Sequence, residues 1–180
     1  MILLCGASAS GKTEVAKILF SKYGIRKVVT HTTRPMRDGE KPDVDYHFVD
    51  KETFLSLKGQ GHFVETTFYH GNFYGTSFPE IGDDKVLIVD PNGLKAFLAL
   101  NNRRIVTFFM DASPATRFNR MIYRGDSVAD ARRRIENDEV DFDEFHMEKT
   151  DFTIDTGQIN IEQVANLVYE LYTKKINALD

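Results

Sequence analysis

Gly6-Ala7-Ser8-Ala9-Ser10-Gly11-Lys12-Thr13 matches the spacing G-x-x-x-x-G-K-[ST] at every specified position. Working outward, Ile2-Leu3-Leu4-Cys5 before it is a short apolar run of strand type. Thr13 to Tyr23 after it repeats apolar residues at helical spacing, through Val15, Ala16, Ile18 and Leu19. Strand, glycine loop and helix in that order let backbone N–H groups wrap a phosphate chain at a helix N-terminus. Ala7, Ser8, Ala9, Ser10 and Gly11 then line the phosphates, Lys12 reaches the β- and γ-phosphates, and the Thr13 hydroxyl ligates Mg²⁺. A plain Gly/Ser turn would need two glycines, a lysine and a threonine in register by accident. The loop reads as a site for a nucleoside triphosphate.

The 180 residues suit one domain with a substantial core, and 42% hydrophobic with 28% charged residues is a soluble, globular composition. No apolar run approaches a membrane span, and the strand starting at Ile2 leaves no room for a signal peptide, so the cytoplasm is the expected location. Cys5 is the only cysteine, which excludes an internal disulfide and fits a small core side chain better than a nucleophile. His31, His47, His62, His70 and His146 lack metal-ligand spacing; His62 and His70 read either as a pair facing across a hairpin or as plain surface polar residues.

A net charge of −4 argues against general nucleic-acid affinity. Arginines crowd positions 117 to 134, whereas Glu136 to Asp155 holds nine acidic residues against Lys149 alone. The concentrated arginines suit a small polyanion. The acidic run reads as a solvated face.

Strand and helix patterns alternate, which predicts an α/β fold: a three-layer parallel sheet with helices on both faces. Core strands are expected at Ile2–Cys5, Lys27–Thr30, Lys85–Val89, Arg104–Phe109 and Phe152–Asp155. Helices are expected at Lys12–Tyr23, Gly93–Leu100, Ser113–Tyr123, Val128–Asp141 and Ile161–Ile176. Residues 31 to 80 break the rhythm. Asp45 to Val49, a short helix from Asp50, and Phe63 to Tyr69 followed by the turn His70-Gly71-Asn72 predict a small antiparallel insertion.

Thr30-His31-Thr32-Thr33-Arg34-Pro35-Met36-Arg37-Asp38-Gly39-Glu40, with Asp45-Tyr46-His47-Phe48-Val49 downstream, resembles the nucleotide-acceptor segment of guanylate kinases. Gly61-His62-Phe63-Val64-Glu65 and Gly71-Asn72-Phe73-Tyr74-Gly75-Thr76-Ser77 continue that resemblance. Arg120 through Arg134 resembles the family's helical lid, and Phe152-Thr153-Ile154-Asp155 its last strand. The resemblance runs almost end to end. It implies a single domain with a core (1–30, 81–119 and 142–180), a GMP-binding insertion (31–80) and a lid (120–141). It also implies ATP-dependent phosphorylation of GMP to GDP with Mg²⁺.

The residues make chemical sense beside that resemblance. Arg34 and Arg37 offer guanidinium forks for a monophosphate, with Tyr46 and Tyr74 as phenols, although each tyrosine alone reads as half-buried packing. Guanine presents N1–H and N2–H₂ donors, so its reader must be an acceptor-only carboxylate. Glu65 and Asp90 match the family's positions for this, with Thr30 and Thr76 as hydroxyl partners and Glu40 in the same GMP-binding set. The alternative for Glu65 is a solvent-facing residue on an edge strand. Lys12, Arg34, Arg124 and Arg134 are the implied catalytic set, with Arg120 and Arg124 on ATP, whereas Arg117, Arg132 and Arg133 read as solvated surface. The implied partners are small nucleotides, with no nucleic acid and no membrane, in a monomer or homodimer.

Several positions depart from the family. Ile88 stands where it carries the first aspartate of Asp-x-Asp, so the metal-side carboxylate is missing. Asp111, ending another apolar strand, is a weakly supported substitute. Ala9 stands at a usual glycine, tolerable only with a negative φ. Pro91, Asn92, Phe68 and Asp155 are further departures. These leave two other readings: a purine or deoxy nucleoside monophosphate kinase of altered efficiency, or a non-catalytic guanylate-kinase-like binding module. The intact Lys12 and Thr13 argue against the module.

Overall fold

Ile2, Leu3, Leu4 and Cys5 form the first strand, and all four are fully buried in a computed structural model that describes residues 1–143 and 146–180. Such an unbroken apolar run is what a parallel strand covered on both faces requires. The strands are β1 (Ile2–Cys5), β2 (Arg26–Lys27), β3 (Thr30–Thr32), β4 (Tyr46–Phe48), β5 (Phe63–Tyr69), β6 (Asn72–Ser77), β7 (Lys85–Val89), β8 (Val106–Asp111) and β9 (Phe152–Asp155). The helices are α1 (Lys12–Tyr23), α2 (Lys51–Gly59), α3 (Pro91–Leu98), α4 (Pro114–Tyr123), α5 (Val128–Asp141) and α6 (Ile161–Asn177).

The main sheet runs β2-β7-β1-β8-β9 with every neighbouring pair parallel. Alternation along β1 divides the core. Ile2 and Leu4 pack with Val15, Leu19, Val164 and Val168 from α1 and α6. Leu3 and Cys5 pack on the other face with Leu94 and Phe97 from α3. Each fully buried aliphatic side chain contributes about 1.5–3 kcal/mol, so both faces are needed to hold β1 central. Helix starts are set by side-chain caps: Asp50 on α2, Asp90 on α3, Ser113 on α4, Ser127 on α5, and an Asn160–Gln163 capping box on α6.

The insertion forms a second sheet in the order β4-β3-β6-β5. Its β3-β6-β5 part is antiparallel, and β4 adds to β3 in parallel with Thr30 opposite Tyr46. The strand expected at Lys27–Thr30 is therefore divided between two sheets. Val28 N–H still bonds Val86 on the main sheet, but Val29 N–H turns to the Glu80 carboxylate, and Thr30 starts the second sheet. The strand expected from Arg104 begins at Val106, because Asn102 caps Arg104 N–H and holds Ile105 in a turn. The helix expected from Gly93 starts earlier, at Pro91, because Asp90 accepts the Gly93 N–H.

His62 and His70 do not face each other. His62 packs on His31 at 5.5 Å between ring centroids, and His70 lies against Tyr69. His31 also touches His47, and its Nδ1 is buried with no hydrogen-bond partner among the described residues. Burial first, then the neighbouring His47 and His62, lowers its pKa to about 4. Among the described residues no helix is long and apolar enough to cross a membrane.

Candidate nucleotide site

The phosphate loop joins β1 to α1, and its shape depends on glycine. A Cβ on Gly6, at φ +151°, would lie 2.4 Å from the Met110 carbonyl oxygen, and Gly11 adopts φ +99° at the helix cap. Ala9 corrects the reading that this position must have negative φ: it sits at +59°. The left-handed conformation is imposed by the loop and disfavoured by the Cβ. Ala9→Gly is expected to stabilise the fold by about 0.5–1 kcal/mol, the relief of that strain less the extra freedom of the unfolded glycine. A thermal midpoint higher by about 1–3 °C in calorimetry would register it.

Lys12 folds its ammonium back onto the loop, donating to Gly6 O (2.5 Å), Ala7 O (2.8 Å) and Ser10 Oγ (3.3 Å). Burial lowers its pKa from 10.5 to about 8. With Ala9, Gly11, Thr13, Arg120 and Arg124 it lines a cavity of about 380 Å³. Arg120 is anchored there, donating from Nη1 to Ala9 O and Thr156 Oγ1 and from Nη2 to Thr156 O at 2.6 Å. Thr156, buried, also bonds Ser10 O; the sequence reading did not single it out.

Thr30, Glu65, Thr76, Ile88 and Asp90 line a second cavity of about 570 Å³. Glu65 and Thr76 are partners in the β5–β6 ladder, and the Thr76 hydroxyl donates to Glu65 Oε1 at 2.6 Å. Burial, with Asp90 adding to it, raises the Glu65 pKa against the Thr76 hydrogen bond. Asp90 has two jobs, since its Oδ1 caps α3 through Gly93 N–H while the residue faces the cavity. Cys5 ends β1, and burial raises its thiol pKa to about 11. Both sites thus open at the carboxyl ends of β1 and β7, where parallel sheets hold ligands.

A third group adjoins the second. The Arg34 guanidinium lies 5.3 Å from the Tyr46 ring centroid, and Tyr46 lies 6.2 Å from Tyr74. Glu40 fixes the group, accepting from Arg34 Nη2 at 2.6 Å and from Arg37 N at 2.8 Å. Lys27 reaches over Tyr46 at 5.9 Å, a cation the sequence reading missed. Thr30 opposite Tyr46, and Tyr74 two residues before Thr76 on β6, connect this cationic group to the carboxylate cavity.

Not every expected residue converges. Arg37 is exposed and contributes its backbone N–H to Glu40. Arg124 does reach the wall of the Lys12 cavity, held in a bidentate pair by Asp126, whereas Arg134 is exposed on α5, near enough to help lower the Asp126 pKa. Asp111 is exposed at the end of β8. Arg117 is not solvated surface. It is 5% exposed and pairs at 2.8 Å with Asp138, itself 8% exposed, so the acidic run is not wholly a solvated face. Glu144, also in that run, lies outside the described residues. The signal for Asp138 was helical spacing, because it falls on one stripe with Ala131, Ile135 and Phe142. Ser8, expected on a phosphate, donates instead to Asp138.

Among the described residues no group of three or more His, Cys, Asp or Glu side chains is arranged to hold a metal ion. Thr13 still offers an exposed hydroxyl on the wall of the Lys12 cavity, an oxygen ligand of the kind Mg²⁺ takes when phosphates and water complete its shell. Ile88 offers none.

The family model described as "Guanylate kinase" matches residues 1–170. A guanylate kinase of Legionella pneumophila (strain Paris) is 34% identical over 150 residues, covering 78% of this chain and 72% of that protein. One from Chromohalobacter salexigens is 30% identical over 184 residues, covering 97% and 85%. The crystal structure of guanylate kinase from Anaplasma phagocytophilum superposes with a TM-score of 0.65 at 25% identity, covering 97% of this chain and 85% of that one. With the phosphate loop, the parallel sheet and the inserted second sheet all in place over that span, the chain belongs to the guanylate kinase family.

Proposed function

We propose that the chain transfers the γ-phosphoryl group of ATP to GMP, giving ADP and GDP. The observation that carries this reading is the half-buried Glu65 carboxylate, held by Thr76 and joined by Asp90 and Thr30 in one cavity beside the phosphate loop. Guanine N1–H and N2–H₂ match an acceptor-only wall, whereas adenine N1 would meet it lone pair to lone pair. Arg34, Tyr46 and Tyr74 would hold the acceptor's phosphate, and the loop amides with Lys12 would hold the donor's. Arg120, fixed on Ala9 O and Thr156, would flank the adenine nucleotide, and Arg124 and Arg134 would take up charge on the transferred group as the lid meets the loop. The acceptor is an anionic phosphate oxygen, so positioning and charge neutralisation suffice without a general base. Mg²⁺, held by Thr13, would neutralise charge on the donor phosphates.

Lys12 gives this reading a pH signature. A pKa of about 8 leaves its ammonium half deprotonated near pH 8, and a triphosphate would keep it fully protonated. Binding at pH 8 should therefore take up about half a proton, and affinity should fall as pH rises above 8. Calorimetry in two buffers of different ionisation enthalpy reads that proton directly.

Ile88 favours a second reading, a monophosphate kinase of altered efficiency, because it removes a carboxylate from the β7 end of the cavity. An ADP-release assay over a panel of ribo- and deoxy-monophosphates, with and without Mg²⁺, separates the readings. Turnover is expected with GMP and Mg²⁺. Preference for another monophosphate would favour the second reading, and no ADP release with any acceptor would leave only a binding module.

A further inference from the structure

Asp138 projects from α5 into the phosphate loop and meets donors that ordinarily serve a phosphate. Its Oδ2 accepts the Ser8 N–H at 2.9 Å and Arg117 Nη1 at 2.8 Å, and its Oδ1 accepts the Ser8 hydroxyl at 3.2 Å. A main-chain amide, a hydroxyl and a guanidinium on one anionic group make a charge-assisted set. Arg117 is fixed behind it by a bond from Nε to Ala112 O. The pair is close enough to the loop that Lys12 is influenced by both charges, Asp138 favouring its ammonium and Arg117 opposing it. A buried ion pair that served only to pin α5 to α4 would not need to engage Ser8 through both its N–H and its hydroxyl.

We propose that Asp138 is a positioning residue that stands in for the terminal phosphate of the donor nucleotide, holding Ser8 and Arg117 ready and releasing them to that phosphate when a triphosphate enters. This rests on the ATP-binding reading above. The donors are shared, and two anions cannot occupy them together, so the carboxylate opposes a triphosphate more than a diphosphate, whose charge ends further from Ser8. The contact therefore tunes the choice between ATP and ADP and ties α5 to the state of the loop.

The test is the ratio of ATP to ADP affinity, measured by calorimetry with Mg²⁺ for the wild type, Asp138→Asn, and the double variant Arg117→Met/Asp138→Asn. Asp138→Asn keeps the shape and removes the charge, and is expected to raise the ratio about tenfold. The double variant avoids leaving a buried guanidinium unpaired. It should raise the ratio less, because Arg117 is no longer there to be handed over. A ratio unchanged in whichever variant folds would overturn the proposal and leave a purely structural ion pair. A lowered ratio, the sign expected if Asp138 helped to hold the metal, would overturn it too. Wild-type protein that bound neither nucleotide would overturn the ATP reading and this inference together, whereas wild-type binding with an unmoved ratio would overturn this inference alone.

Discussion

Lys12→Met is expected to lower the rate of ADP formation by about a thousandfold while leaving the fold intact. Methionine has nearly the length of lysine and none of its charge, so it removes the cation that would follow the transferring phosphoryl group. The structural cost is small for a reason visible in the surroundings of Lys12. Burial has already lowered the Lys12 pKa to about 8, so the folded chain holds this charge at a disadvantage. Losing it offsets the loss of a donor to Gly6 O, Ala7 O and Ser10 Oγ. The thermal midpoint should move by less than about 4 °C. The proton uptake on ATP binding at pH 8 should vanish with the side chain, which ties both effects to one ammonium. A variant that kept its rate within a few-fold would remove Lys12 from the chemistry and with it the phosphate-loop assignment.

Much of this arrangement was legible because it is local. The loop motif, the apolar run of β1 and the helical stripe of α6 each lie in one continuous segment, and their positions in the fold follow from burial on two faces. Glu65, Thr76 and Asp90 come from three segments, and it was their resemblance to a known family, not their spacing, that brought them together. What escaped the sequence depends on long-range geometry. Arg117 and Asp138 look like two surface charges until α4 and α5 pack and the phosphate loop closes over them. His31, His47 and His62 meet only when the second sheet folds and its neighbouring turn packs back. The backbone at Ala9 was misjudged because steric preference was read from residue type alone, whereas the loop dictates φ there. Val28 and Val29 belong to one apolar run, yet the chain changes sheets between them because Glu80 captures the second amide.

Glu65→Gln is expected to lower kcat/KM for GMP by about 10²–10³ and to leave use of AMP, however slow, unchanged or slightly improved. The substitution keeps size and shape, so the β5–β6 ladder and the bond from Thr76 have an oxygen to retain. What changes is one acceptor, which becomes an amide donor facing guanine N–H groups. Losing a charge-assisted hydrogen bond and gaining a donor opposite a donor together account for the magnitude, since a base seated against the half-buried Glu65 would leave water little access to either. Adenine N1 accepts, so for AMP the same change removes a repulsion. A pH signature accompanies it. Burial raises the Glu65 pKa, so the carboxylate needed for guanine is lost on acidification sooner than an ordinary glutamate would be. The wild-type kcat/KM for GMP should therefore fall as pH drops through that raised pKa, and this acid limb should be missing from the glutamine variant. Parallel pH profiles in the two proteins, or GMP kinetics unchanged by the substitution, would show that Glu65 does not read the base, and would return it to the surface role its sequence alone allowed.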